Sequence, residues 1–213
     1  MVLLWDGSFL PSSMTYTRVR HQSLFLLATL IAFGASSWAQ EREFQVDPSH
    51  SSVKFTLGDV LHTVHGTFKV TRGDLHIDSG GKISGEILVD AQSGESGSGM
   101  RDHKMHKEVL ESDRYPQISF HPDRIEGPVP SSGTSSVKIH GMFNIHGVDR
   151  EITVPAQVEM GTDRWTANVH FTVPYQKWGM KNPSTLFLRV NDSVEIDLMA
   201  TGTIAPPAAA SAQ

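Results

Sequence analysis

Val137-Lys138-Ile139-His140-Gly141-Met142-Phe143-Asn144-Ile145 sets Val137, Ile139, Gly141, Phe143 and Ile145 on one parity and Lys138, His140 and Asn144 on the other. Residues two apart share a face of an extended chain, so this stretch is a strand with one apolar and one wetted side. His146-Gly147-Val148-Asp149 follows as turn material. The alternation then resumes with Ile152, Val154, Ala156, Val158 and Met160 against Thr153, Gln157 and Glu159. Two such runs across a tight turn read as antiparallel neighbours with one face to bury.

Outward from this pair the pattern repeats. Downstream lie Trp165/Ala167/Val169/Phe171/Val173 and Val194/Ile196/Leu198/Ala200. Upstream lie Val53/Phe55/Leu57, Val64/Gly66/Phe68/Val70, Leu75/Ile77, Ile83/Gly85/Ile87/Val89 and Ile118/Phe120. Asp78-Ser79-Gly80-Gly81, Gly127-Pro128-Val129-Pro130-Ser131-Ser132-Gly133 and Gly161-Thr162-Asp163 punctuate the runs. Nine or so short strands at this spacing predict an antiparallel meander. Open sheet edges recruit other chains, so the meander is expected to close into a barrel over residues 40–204.

One segment breaks the strand pattern. Gly94-Glu95-Ser96-Gly97-Ser98-Gly99 is a flexible approach, and residues 100–112 then hold no Gly, no Pro and few β-formers. Met105 and Val109, with Met100 and Leu110 beside them, share a helical face, and Tyr115-Pro116 discourages further α geometry. A short helix over one barrel mouth is expected. Trp178-Gly179-Met180-Lys181-Asn182-Pro183 reads as a loop before the last strands.

The chain has 213 residues, with 18 Lys+Arg against 23 Asp+Glu and a formal charge of -5. That balance argues against a nucleic-acid partner, since a phosphate lattice rewards clustered cations. Zero Cys excludes thiol nucleophiles, disulfides, thiolate metal sites and Cys-anchored lipidation. Residues 1–39 read as an export signal: Arg18, Arg20 and His21, then an apolar run over 24–33, then Ser37-Trp38-Ala39 before Gln40. The apolar run is too short to span a bilayer, so no stable membrane insertion is expected. Met14 makes a better start than Met1, because residues 1–13 fit no targeting pattern. Residues 205–213 (Ala, Pro, Ser and Gln only) read as a loose tail. Export places the mature protein in the periplasm or outside the cell.

Familiar catalytic signatures do not occur: no G-x-S-x-G elbow, phosphate-cradling loop, dinucleotide fingerprint or H-E-x-x-H. The 11 His are the compositional excess. His103 and His106 lie three apart on the expected helix and could place two imidazoles on a metal, with Asp102 or Glu108 as a third ligand. His62 and His65 have the same spacing but fall on opposite faces of a strand. His140, His146 and His170 sit on the wetted parity, where solvated His needs no function. No metal site is assigned, and a His-rich metal- or stress-related binding module of the cell envelope is carried as the alternative function. Arg101-Asp102-His103 has two readings, ordinary helix-terminus chemistry or a polar rim that grips a ligand headgroup at the mouth.

Several stretches together resemble the YceI-like family over residues 44–202. They are Val46-Asp47-Pro48-Ser49-His50-Ser51-Ser52-Val53-Lys54-Phe55, Val64-His65-Gly66-Thr67-Phe68, Arg101-Asp102 with Met105 and Leu110, Tyr115-Pro116-Gln117-Ile118-Ser119-Phe120, Val137-Lys138-Ile139-His140-Gly141 with Ile145-His146-Gly147-Val148, and Tyr175 with Trp178-Gly179-Met180. Residues 89–99 and 182–187 depart from the family's common form. The resemblance implies an all-β, antiparallel, eight-stranded lipocalin-like barrel with a short helix near one mouth. It also implies an exported, non-catalytic protein without a cofactor that holds a polyisoprenoid or fatty-acid-like chain in the barrel, for carriage or sequestration. The inward parity then supplies the expected lining: Phe55, Phe68, Phe120, Phe143, Ile145, Trp165 and Phe171, with Trp178 from the loop and Arg101, Asp102 and His103 as the rim. A homodimer is left open.

Overall fold

The computed structural model describes residues 41–58, 62–185 and 189–205. The expected export signal (1–39), the alternative start at Met14 and all of the expected tail except Ala205 lie outside them.

Nine strands form one antiparallel sheet: β1 (Arg42–Val46), β2 (Ser52–Gly58), β3 (Thr63–Ile77), β4 (Ile83–Glu95), β5 (Gln117–Glu126), β6 (Gly133–Ile145), β7 (Val148–Met160), β8 (Arg164–Val173) and β9 (Val194–Ala205). Each of β2 to β8 pairs with its successor, and β9 returns to β2, so the sheet closes on itself. The ring nevertheless has eight positions. β1 pairs with the later half of β3 and the end of β9 (Phe44 opposite Leu75 and Ile204). β2 pairs with the earlier halves of the same two strands (Phe55 opposite Gly66 and Ile196). The two are one stave interrupted at residues 47–51. Pro48 offers no ladder N–H there. Asp47 accepts bonds from the Ser49 amide (3.0 Å) and hydroxyl (2.5 Å) and pairs with His50 Nδ1 (2.7 Å). Those contacts, Ser49 first and then His50, hold the Asp47 carboxyl down at about 2.

The strands equal the runs in number but are longer, with two runs merged into one strand and β1 not among the runs read from sequence. Residues 64–70 and 75–77 belong to the single 15-residue β3, which stays paired with β4 through register shifts at Thr67/Lys69 and Val70/Arg72. β5 likewise carries Pro122 at a shift between Pro122 and Arg124. The turn after Ile145 has two residues, His146 (φ 56) and Gly147 (φ 71), the left-handed pair of a type I′ hairpin. A Cβ on Gly147 would lie 2.4 Å from the Tyr115 ring. The His146 ring is held in this conformation by a tilted contact with the Tyr115 ring (4.6 Å) and by Glu111 (3.2 Å).

Between β4 and β5 the chain forms α1 (Gly99–Lys104), which widens through Met105–Val109 so that the Leu110 amide bonds the Met105 carbonyl. Met105, Val109 and Leu110 face the barrel, packing with Phe143, Ile145, Tyr175 and Met180. Met100 does not join them and is 88% exposed. His106 fastens the helix from both ring nitrogens, to the Ser112 hydroxyl (3.0 Å) and the Gly94 carbonyl (2.9 Å). Among the described residues no helix is long and apolar enough to cross a membrane.

Candidate functional site

Inward residues of all eight staves leave a cavity of about 280 Å³ running along the barrel interior. Each interior position faces the barrel axis because of the strand's period of two, and eight staves leave a bore that side chains need not fill. At the end away from α1, Phe44 and Trp165 meet edge to face at 5.9 Å, with Ile77, Ile83 and Val129 beside them. One inward position along β8 from Trp165, Ala167 lies directly opposite Ala200 of β9. These two small side chains widen the bore. Toward α1 the wall is Phe55 against Phe68 (5.5 Å) and Phe143 against Phe171 (5.9 Å, edge to face). Leu57, Met105, Leu110, Tyr175 and Met180 complete that end.

The lining is almost wholly apolar. Among the described residues it contains no Asp, Glu or His. Its few polar members gather mostly near α1: Ser96, Arg101, Lys104 and Tyr175. The Tyr175 hydroxyl donates to the Asn191 carbonyl (2.5 Å), and burial, with Asp192 nearby, pushes its pKa up to about 12. It is therefore a fixed neutral donor and not a base. The helix and the loop between β8 and β9 are tied across the mouth by Lys104 Nζ donating to the Pro183 carbonyl (2.8 Å) and Lys181 Nζ to Glu108 (2.5 Å). The Lys181 contact holds the Glu108 carboxyl below its usual range.

Seven of the eight aromatic and aliphatic residues singled out from the sequence line this cavity: Phe55, Phe68, Phe120, Phe143, Ile145, Trp165 and Phe171. Trp178 does not. Its ring packs on the Phe143 ring at 5.9 Å, and Arg150 stacks on it (4.9 Å) while donating to its carbonyl (2.5 Å), so it buttresses the wall.

The expected rim separates. Arg101 is in the lining, but Asp102 and His103 are not. Asp102 accepts from the Ser96 amide (2.8 Å) and hydroxyl (2.5 Å), closing the approach loop, and His103 is exposed. Lys104, one turn after Arg101, is the charged lining residue the sequence reading missed. The i, i+3 spacing on a helix was the signal that could have found it.

The histidine excess is absorbed elsewhere. His50, His76, His140, His146 and His170 each pair with a carboxylate, and His106 spends both nitrogens on the helix anchor. His106 thus offers no lone pair to share with His103. Among the described residues no three His, Asp or Glu side chains converge as a metal-binding set.

Comparison with known proteins gives a consistent picture. A family model described as the YceI-like domain matches residues 44–201. A polyisoprenoid-binding domain from Saccharophagus degradans, implicated in plant cell wall breakdown, superposes with a TM-score of 0.62 at 13% identity, covering 77% of this chain and 98% of that one. BcnA from Burkholderia cenocepacia superposes at 0.63 with 19% identity, covering 74% and 99%. The YCEI protein of Campylobacter jejuni superposes at 0.51 with 15% identity, covering 67% and 86%. No curated protein matches the chain.

Proposed function

The chain belongs to the YceI-like domain family, and on that ground we propose that it is an exported, non-catalytic binding protein that holds one long apolar chain, polyisoprenoid or fatty-acid-like, inside its barrel. The observation that carries this reading is the continuous apolar cavity of about 280 Å³. At roughly 15–30 Å³ per water-sized group, that is room for roughly ten to twenty methylene-sized groups. Burial at ~0.8 kcal/mol per CH₂ contributes on the order of 8 to 16 kcal/mol gross. Loss of ligand freedom offsets much of it, which leaves micromolar or tighter binding with modest specificity. A polyisoprenoid-binding domain among the structural relatives supports the ligand class.

Carriage or sequestration fits better than turnover. Among the described residues the lining has no carboxylate or imidazole to move a proton, and Tyr175 is held neutral. Export follows from the basic, apolar and small-residue order of residues 18–39.

Native mass spectrometry of protein purified without detergent tests the binding. The expected spectrum shows a single hydrophobic adduct, lost on organic extraction and regained on adding a twenty-carbon isoprenoid. Protein at bare polypeptide mass that takes up no such chain refutes the reading. Sequencing the N-terminus of protein recovered from the cell exterior tests export, with Gln40 the expected first residue.

A further inference from the structure

The charged residues of the cavity wall number two among the described residues, Arg101 and Lys104, and both stand on α1 at the same end of an otherwise apolar bore. Among the described residues neither is in an ion pair, although the Lys104 charge is felt by Glu108 one turn on. Arg101 donates from Nε to the Ser96 hydroxyl (2.9 Å) and from a terminal nitrogen to the Ser96 carbonyl (3.0 Å). Lys104 donates to the Pro183 carbonyl. Those acceptors are neutral, so both positive charges remain uncompensated by direct contact. Arg101 keeps three N–H donors and Lys104 two. Neighbouring cations differ: Lys107 is matched with Asp113 and Lys181 with Glu108. Asp102, whose carboxylate would repel an anion, is outside the lining and bonded to Ser96.

We propose that Arg101 and Lys104 form an anion-binding headgroup site, so that the ligand is an amphiphile with one apolar tail and a compact anionic head, phosphate or carboxylate. This rests on the tail-binding reading above and adds the head. A guanidinium and an ammonium one helical turn apart can share the oxygens of one such group while the tail runs down the bore. The head stays at the mouth, where charge retains part of its hydration. The phenylalanines along the tail need no polar contact at all.

The test uses delipidated protein and three ligands with one twenty-carbon tail: geranylgeranyl monophosphate, geranylgeraniol and geranylgeranylamine. Inorganic phosphate serves as the tail-less control, and affinities are read by isothermal titration. The monophosphate is expected to bind at least about tenfold tighter than the alcohol, the size of one charge-assisted hydrogen bond, and the amine more weakly than the alcohol. In the double variant Arg101→Gln/Lys104→Gln the ratio of monophosphate to alcohol affinity should fall from about tenfold to about one, a ratio unaffected by any general loosening of the mouth when the Lys104–Pro183 bond is lost. Equal affinity for monophosphate and alcohol in the unaltered protein, or a double variant that keeps the tenfold ratio, overturns the headgroup site while the tail reading stands. Inorganic phosphate binding as tightly as the lipid phosphate also overturns it, since the site would then serve a free anion. Failure of all three tailed ligands overturns the tail reading and the headgroup site with it.

Discussion

Ala167→Phe separates a hollow barrel from a solid one. Ala167 lies opposite Ala200 on β8 and β9, one inward position from Trp165, and both line the cavity. Phe there adds a ring of about six methylene-sized groups to a space that holds roughly ten to twenty. The tail loses that length of burial, on the order of 4 to 5 kcal/mol gross at ~0.8 per CH₂. A shorter ordered tail recovers part of it, so the net loss is about 2 to 3 kcal/mol, or roughly thirty- to 150-fold in affinity. The ligand-free protein responds in the opposite sense. The ring fills empty space against apolar neighbours, so the melting temperature should hold or rise by a few degrees, at about 2–4 °C per kcal/mol for a domain of this size. Calorimetric melting of delipidated protein and titration with geranylgeraniol read the two effects. In a solid interior the same substitution is overpacking, which costs about 1 to 3 kcal/mol. A melting temperature lowered by several degrees with lipid uptake unchanged would refute the cavity argument.

Two further substitutions probe the mouth and the outer wall. His106→Ala removes the two imidazole bonds that help fasten the helix, to Ser112 and to the Gly94 carbonyl, and leaves the Ser112 hydroxyl (a residue 2% exposed) without its partner. It should cost about 1 to 3 kcal/mol in urea unfolding and speed lipid release by stopped flow, with unchanged release speaking against α1 as the mouth cover. His170 is raised above its ordinary pKa by its hydrogen bond with Asp197, against slight desolvation and aided by the charges of Asp197 and Glu195. A raised histidine stabilises fully below its unfolded value near 6.5 and loses that contribution as pH climbs through the folded value. His170→Gln should therefore destabilise more at pH 5.5 than at pH 9 in thermal melts, and an equal cost at both would rule out the pairing.

Strand identity and facing were legible because alternation is a local signal. The residues read inward between Val137 and Ile145, and between Ile152 and Met160, are the ones that face the interior, and the turn between them falls at His146-Gly147. Continuity was less legible. Arg72-Gly73-Asp74 interrupts the apolar parity between Val70 and Leu75, yet β3 passes through, because its bonds to β4 persist while the register slips by a residue. The split first stave shows the converse: residues 47–51 carry enough side-chain bonding to leave the ladder, and the chain then resumes the same position in the ring.

Whether the barrel is hollow was beyond the reach of parity. An inward side chain loses water equally against a neighbour or against empty bore, so Phe143 and Phe171 look alike in sequence whether they fill a core or line a tunnel. What decides is the sum of inward volumes against the bore of eight staves, and that sum depends on pairing partners far apart in the chain. Ala167 meets Ala200 only once β8 lies beside β9 in register, and the two small residues then leave a gap that neither would leave beside a Leu. The polar mouth has the same logic. Arg101, Asp102 and His103 are consecutive, so a helix splays them around its axis and only one reaches the cavity, whereas Lys104 returns to the face of Arg101 after one turn. Adjacency in sequence suggested a rim, and helical geometry chose a different pair.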